Sequence, residues 1–283
     1  MSAKITAELI KELRERTGVG MGKCKEALEQ ASGDIEVAID NLRKAGMASA
    51  VKKEGRETNE GLIGFAENAN AASFAEVNAE TDFVTQNERF KAFLEDVCND
   101  ALACKPKDLE QFLQQKYSKD PSITIDQYRA LIVQSLGENI KVSRVLVLEK
   151  SKDTSIGIYS HMGGKIVTAL VIEGASGLEN FAKEIGMHVA AESPDYLKPE
   201  EVPSDIRARE EEIAKSQVVG KPANIVDKIV EGKINAFYDQ VCLLRQKYVK
   251  EPSISITQLL EREGKKTGKN LTIRSYIRWQ IGG

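Results

Sequence analysis

The segment "QKYSKDPSITIDQ" at 115–127 returns as "QKYVKEPSISITQ" at 246–258, with nine of 13 positions identical at an offset of 131. The same offset carries Gly137 to Gly268 and Asn139 to Asn270 without a gap, so "GENIKV" mirrors "GKNLTI". A weaker echo, at an offset of 88, sets "FLEDVCNDALACKPKDL" (93–109) against "FAKEIGMHVAAESPDYL" (181–197). Two halves of one ancestral unit produce both echoes, and each half must then build the same supersecondary structure. Strands are expected at 61–66, 72–79, 140–149, 155–160, 166–172 and 271–281, alternating with helices near 86–104, 108–117, 125–136 and 178–192. That scattered order, with short connections between neighbouring strands, predicts an α+β fold over a doubly wound parallel sheet.

The halves differ in length. Between Leu197 and Gln246 the second copy is longer than the first is between Leu109 and Gln115, and the surplus covers roughly 199–240. Its segments "SDIRAREEEIAKSQ" and "NIVDKIVEGKINAFYDQV", joined by "VVGKP", predict an inserted helical hairpin with an apolar stripe to hide. Ahead of the duplication, residues 1–46 predict a three-helix module. Thr6 caps the first helix, which carries Leu9, Ile10 and Leu13 on one face and stops at Gly18. The second carries Met21, Cys24, Leu28 and Ala31, ending at Ser32-Gly33. Asp34 caps the third, with Ile35, Ala38, Ile39 and Leu42 on one stripe and Gly46 closing it. The expected organisation is 1–46 docking module, 47–60 linker, 61–149 first half, 150–198 with 241–283 second half, and 199–240 inserted hairpin.

Charge and composition exclude several classes of function. Forty basic residues against 43 acidic give a net charge of −3, so there is no footprint for long nucleic acid. The basic stretch at 262–278 reads as a solvated face. No run approaches the ~18 apolar residues of a membrane span, and "MSAKITAELIKEL" lacks the pattern of a signal peptide. Cys24, Cys98, Cys104 and Cys242 are scattered without a C-x-x-C, which suggests neither a zinc site nor a disulfide framework. A cytoplasmic protein without cofactor, metal, membrane or direct nucleic-acid contact is expected.

Acid–base chemistry is equally scarce. His161 and His188 are the two histidines, and His188, inside the helical "EIGMHVAA", reads as a structural residue. "HMGGKI" at 161–166 fails as a phosphate loop because Tyr159 and Ile166 stand where Gly and Ser/Thr are needed. A turn between strands, with freedom supplied by Gly163 and Gly164, is the simpler reading. "TDFV" at 81–84 leaves two readings open. Thr81 or Asp82 caps a helix onto which Phe83 staples near Phe90. Alternatively Thr85 caps a helix starting near Gln86, and Asp82 and Phe83 occupy the turn before it and need not point inward.

"IKELRERTGVGMGKCKEALEQASGDIEVAIDNLRKAG" (10–46), "EVNAETDFVTQNERF" (76–90), "SLGENIKVSRV" (135–145) and "MHVAA" (187–191) together resemble the bacterial and organellar elongation factor Ts family, across nearly the whole chain. The resemblance implies a ubiquitin-associated-like N-terminal module, a core of two pseudo-symmetric halves and an inserted coiled coil. It also implies guanine-nucleotide exchange on the GTPase elongation factor Tu, which such factors bind both with GDP and nucleotide-free. Thr81, Asp82, Phe83 and Val84 then match the segment that disturbs the Mg²⁺ site of the GTPase. Arg14, Lys25, Leu136, Gly137, His161 and Gly163 match partner-binding positions. Met162 departs from the family pattern, standing where a Gly is usual. With the sequence ending at Gly283, the further GTPase-contacting helix of some members is not expected. The hairpin is expected either to pair two copies as a homodimer or to lie on the partner. Two rival functions fare worse. A ubiquitin-associated-like adaptor leaves "TDFV" and the duplication unexplained, and a small-molecule enzyme lacks an acid–base constellation.

Overall fold

In the computed structural model, which describes residues 5–218 and 223–282, the chain divides into two compact units. One holds the residues up to Glu149 together with Gly163–Lys165 and the chain from Gln280; the other holds Lys150–Met162 and Ile166–Trp279.

The first unit opens with α1 (Ala7–Thr17), α2 (Met21–Gln30) and α3 (Ile35–Lys53). The Thr6 hydroxyl accepts the Leu9 N–H, Gly18 ends α1 in the left-handed conformation, and Asp34 caps α3 through the Val37 N–H, as the sequence predicts. Leu13, Val19, Cys24, Leu28, Ala38, Ile39 and Leu42 share a small core. Gly46, however, does not close the third helix. α3 runs on to Lys53, so the linker expected at 47–60 shrinks to the few residues before β1 (Glu60–Glu67). The cause is tertiary. A Cβ at Gly46 would stand 3.3 Å from Gln134 Oε1 and 3.4 Å from the Ala130 carbonyl oxygen. Glycine therefore lets α3 approach a helix of the next layer closely, and one turn on Ala50 is buried in that layer's core. Such packing outweighs the ~1 kcal/mol that a helical Gly costs relative to Ala.

After β1 come β2 (Ala71–Ala79), the single turn α4 (Asp82–Thr85), α5 (Glu88–Cys104) and α6 (Leu109–Leu113). The hairpin β3 (Lys116–Tyr117) and β4 (Asp120–Thr124), α7 (Ile125–Leu136) and β5 (Ile140–Glu149) follow. The sheet order is β1-β2-β5, antiparallel, with a bulge between Glu76 and Val77. Phe90, Phe93 and Val97 of α5 and Val133 of α7 close over it. Each such side chain contributes about 1.5–3 kcal/mol by burial.

The second unit repeats the plan with β6 (Thr154–His161), β7 (Ile166–Glu173), α8 (Glu179–Glu192) and a 3-10 turn at Pro199–Glu201. It continues through α9 (Ser204–Ser216), α10 (Ala223–Val241), the hairpin β8 (Lys247–Tyr248) and β9 (Glu251–Ser255), α11 (Ile256–Thr267) and β10 (Thr272–Gln280). Its sheet runs β10-β7-β6. α9 and α10 are the expected helical pair, and residues 219–222 of the expected join "VVGKP" lie outside the described residues. Ala214, Val218, Val230 and Ile234 bury one another within this pair, while Ile213 and Ile225 on its two arms stay exposed.

The duplication is visible bond by bond. Thr124 with Gln127, and Ser255 with Gln258, form capping boxes at the starts of α7 and α11, and Gly137 and Gly268 end those helices in the left-handed conformation. Asp96 accepts hydrogen bonds from Tyr117 and Lys119, at 2.6 and 2.5 Å; Glu184 accepts from Tyr248 and Lys250, at 3.5 and 3.2 Å. The Ser118 N–H donates to Asp100, and the Val249 N–H donates to His188. The hydroxyls of Ser73 and Thr168 donate to the carbonyls of Cys98 and Gly186. The fold is thus α+β with an N-terminal helical region, each half closing its helices on its sheet through equivalent contacts. The two-residue strand Lys116–Tyr117 replaces the end of the helix expected at 108–117, and Lys247–Tyr248 is its counterpart in the second unit. In the first unit the Tyr117 hydroxyl bond to Asp96 and the stacking of Tyr117 on Tyr128, with centroids 4.2 Å apart, fix an extended backbone.

Candidate functional site

The exit of β2 carries the most exposed large apolar side chain among the described residues: Phe83 is 83% exposed. It sits on α4, whose other side is pinned. Val84 packs on the core of the first unit, Thr85 is buried, and the Thr85 hydroxyl donates to the Asp82 carbonyl at 2.7 Å. The Gln86 N–H reaches the Asp82 and Phe83 carbonyls, and the Asn87 N–H reaches the Val84 carbonyl at 3.0 Å. The side chain of Asn87 then caps α5 through the Arg89 N–H at 2.9 Å. Neither sequence reading of the "TDFV" segment survives in full. Phe83 does not staple onto Phe90, and Thr85 does not cap the following helix; Asn87 does. The outward placement of Asp82 and Phe83 holds.

Upstream, Thr81 is gripped from the loop after α7. Its N–H donates to Glu138 Oε2 at 3.0 Å and its hydroxyl to Glu138 Oε1 at 2.7 Å. The Asn139 N–H donates to Glu80 Oε1 at 2.6 Å, and Asn139 Nδ2 donates to the Glu54 and Arg56 carbonyls. Arg56 also pairs with Glu80 at 3.3 Å. The loop that the sequence singles out at Leu136 and Gly137 therefore meets the 81–84 turn through Glu138, while Asn139 holds Glu80 just before it. Leu136 is half-buried against the core, whereas Gly137 is exposed at φ 84. Glu80, Glu138 and Asn139 were not among the expected site residues. The repeat holds one signal, since Asn139 and Asn270 are shared while Lys269 stands at the position that corresponds to Glu138.

Arg14 lies exposed on the last turn of α1, and Lys25 lies exposed on α2, 3.8 Å from Glu29. The N-terminal helices are themselves anchored: Arg89 donates to the Ser135 hydroxyl at 2.6 Å, and Ser135 donates to the Gly18 carbonyl at 2.8 Å. Arg43 pairs with Asp120 at 2.9 Å. His161 is exposed at the end of β6, with its Nδ1 3.1 Å from the Tyr159 hydroxyl. Met162, Gly163 and Gly164 make the turn into β7 with φ of 49, 65 and 99. Met162 thus accepts the left-handed conformation that a glycine would adopt without strain, at ~1–2 kcal/mol. The Gly164 carbonyl accepts the Ile63 N–H at 2.8 Å.

His188 is buried, its Nδ1 accepting the Val249 N–H and its Nε2 donating to Gln246 at 3.0 Å. Burial lowers its pKa, against the smaller raising effects of the Gln246 bond and of Glu192. This is the structural role the sequence suggests. The Cys98 thiol is pushed up to about 12 and that of Cys242 to about 11, chiefly by burial, so neither is a ready nucleophile. Among the described residues no helix is long and apolar enough to cross a membrane.

A displayed aromatic ring on a duplicated scaffold suits a protein that acts on another macromolecule. A family model described as elongation factor TS matches residues 80–283. The elongation factor Ts of Protochlamydia amoebophila is 62% identical over 280 residues, covering 99% of each chain. That of Chlamydia caviae is 43% identical over 280 residues, again covering 99% of each. That of Chlamydia pneumoniae is 44% identical over 275 residues, covering 97% of this chain and 98% of its own. The class is that of translation elongation factors, proteins of protein biosynthesis. Within it, the chain belongs to the elongation factor Ts family.

Proposed function

We propose that the chain is the guanine-nucleotide exchange factor of elongation factor Tu, acting in the cytoplasm on its GDP-bound form and holding its nucleotide-free form. The observation that supports this reading most is the Phe83 ring, 83% exposed on a one-turn helix anchored on both sides. A bound GDP–Mg²⁺ owes much of its affinity to a metal that bridges phosphate oxygens and tolerates little departure from octahedral geometry. An aromatic wedge driven between the elements that hold the metal's ligands spoils that geometry, and the nucleotide loses contacts. Linkage requires factor and nucleotide to weaken each other equally. Each factor of ten corresponds to about 1.4 kcal/mol, a sum that one buried aromatic and a few polar contacts supply. No bond in the nucleotide is made or broken, so the factor is not an enzyme in the bond-making sense and needs no cofactor.

In this reading Thr81, Asp82, Phe83 and Val84 form the Mg²⁺-displacing turn, while Arg14, Lys25, Leu136, Gly137, His161 and Gly163 belong to the docking surface. The test is release of labelled GDP from purified elongation factor Tu. The wild-type chain should accelerate release. Phe83→Ala should lose about 30-fold or more of that acceleration, the scale of an interface hot spot. Because the ring is exposed, Phe83→Ala should change stability by no more than about 0.5 kcal/mol. Equal release by both proteins would remove the wedge, and release no faster than spontaneous loss would remove the function.

A further inference from the structure

We propose that Glu138 is a positioning residue for the Phe83 turn: its carboxylate grips Thr81 and thereby sets the direction in which the ring is presented. The proposal rests on the reading of Phe83 as the wedge.

A single helical turn has almost no stability of its own, so the direction of Phe83 depends on what holds the ends of α4. Thr81 occupies its N-cap position, yet its side chain makes no capping bond. The hydroxyl is drawn instead to Glu138 Oε1, and the backbone N–H to Glu138 Oε2, so that both carboxylate oxygens are used on one residue. Bonds to a carboxylate are the strong kind. Glu138 is itself held in place. It follows Gly137, the left-handed end of α7, and precedes Asn139, which is 4% exposed and bonded to the Glu54 and Arg56 carbonyls. The Asn139 N–H returns to the Glu80 carboxylate, so the pairs 80–81 and 138–139 are laced in both directions. The second half shows that this carboxylate is not needed to build the fold, because Lys269 stands at the corresponding place and the strand exit there carries no displayed ring.

Two measurements test this together. The first is GDP release from elongation factor Tu as a function of factor concentration. Glu138→Ala should lower the maximal release rate about tenfold, the scale of one charge-assisted hydrogen bond, and change the half-maximal concentration less than about twofold. Glu138→Gln should recover most of the rate, because its amide oxygen accepts the Thr81 N–H while its NH₂ donates to the Thr81 hydroxyl. In a Phe83→Ala background, Glu138→Ala should add no further loss. The second measurement is amide hydrogen exchange of Gln86 and Asn87 in the free factor, which Glu138→Ala should quicken and Glu138→Gln should not. Additive losses in the double variant would overturn the proposal. So would a Glu138→Gln rate as low as that of Glu138→Ala, or unchanged exchange at the turn. Should the wild type fail to accelerate release, the wedge reading falls by itself, and amide exchange still decides whether Glu138 holds the turn.

Discussion

Two strand-to-helix connections occupy corresponding places in the duplicated halves, and they are built differently. In the second unit β7 reaches α8 through the five residues 174–178; in the first, β2 reaches α5 through the eight residues 80–87. The short connection lies flush. Gly174 takes φ 101, and a Cβ there would stand 2.0 Å from the Asn270 carbonyl oxygen; Gly177 takes φ 81. The Ser155 hydroxyl donates to the Ala175 carbonyl and accepts the Leu178 N–H, both at 2.9 Å, which closes the turn from beneath. The long connection has no glycine. Its extra length is wound into α4, held upstream by Glu138 and downstream by Thr85 and Asn87, with Phe83 outward. Further along, both helices are tied to their sheets by equivalent bonds, Ser73 to the Cys98 carbonyl and Thr168 to the Gly186 carbonyl. Joining strand to helix therefore takes five residues, and the remainder of the longer loop is free to present a side chain.

The comparison breaks most sharply if the two connections are made alike. Replacing Glu80–Asn87 with Gly-Ala-Ser-Gly-Leu, the sequence of the second connection, should bring GDP release from elongation factor Tu down to its spontaneous rate. Circular dichroism should still report a folded α+β chain, since β2 and α5 keep their own residues. A graft that retained exchange would mean that the extra residues are not what acts on the partner.

A smaller effect should come from the flush side. Gly174→Ala places a methyl group against the Asn270 carbonyl in a backbone region that L-residues avoid. It should destabilise the second unit by about 2–4 kcal/mol, read as a lower melting temperature or urea midpoint. Glu80→Ala, at the matching first position of the long connection, should cost about 1–2 kcal/mol, through its bonds to Asn139 and Arg56. Equal losses would mean that the two exits do not differ in how tightly the backbone is closed.

How much of this could be read from the sequence follows the range of the interactions. The capping boxes and the left-handed glycines after α7 and α11 are local, and their residues lie within or just beyond the repeated segments, although the sequence alone marks them only as recurring. α11 itself was not among the expected helices, although the offset of 131 maps α7 onto it. Gly46 reads as a helix stop until α7 is seen against it, and Lys116–Tyr117 read as helix until Asp96 and Tyr128 are seen around Tyr117. At the candidate site the sequence leaves Phe83 open between stapling onto Phe90 and standing in a turn before the helix. The buried Thr85 bond to the Asp82 carbonyl winds that turn into α4 and leaves Asn87 to cap α5, with the ring outside. The Glu138 grip spans 57 residues, and no local pattern encodes it.

The smallest predicted effect sharpens the comparison at its base, where one side chain in each half receives the N–H of the β-hairpin turn: Asp100 in the first, His188 in the second. Burial lowers the pKa of His188, so the folded state favours the neutral ring. Above the unfolded value of about 6.5 both states are neutral and the group makes no pH-dependent contribution. As pH falls through that value the unfolded chain takes up a proton that the folded one resists, and stability declines until the lowered folded pKa is passed. Protonation at Nδ1 would also remove the acceptor of the Val249 N–H. His188→Asn keeps an acceptor for that N–H without a titrating ring. Melting temperatures between pH 7.5 and 5.5 should therefore fall more steeply for the wild type than for His188→Asn, the difference opening below about pH 6.5. Parallel curves would show that the two halves use these residues as interchangeable acceptors, with no titration behind the exchange of Asp for His.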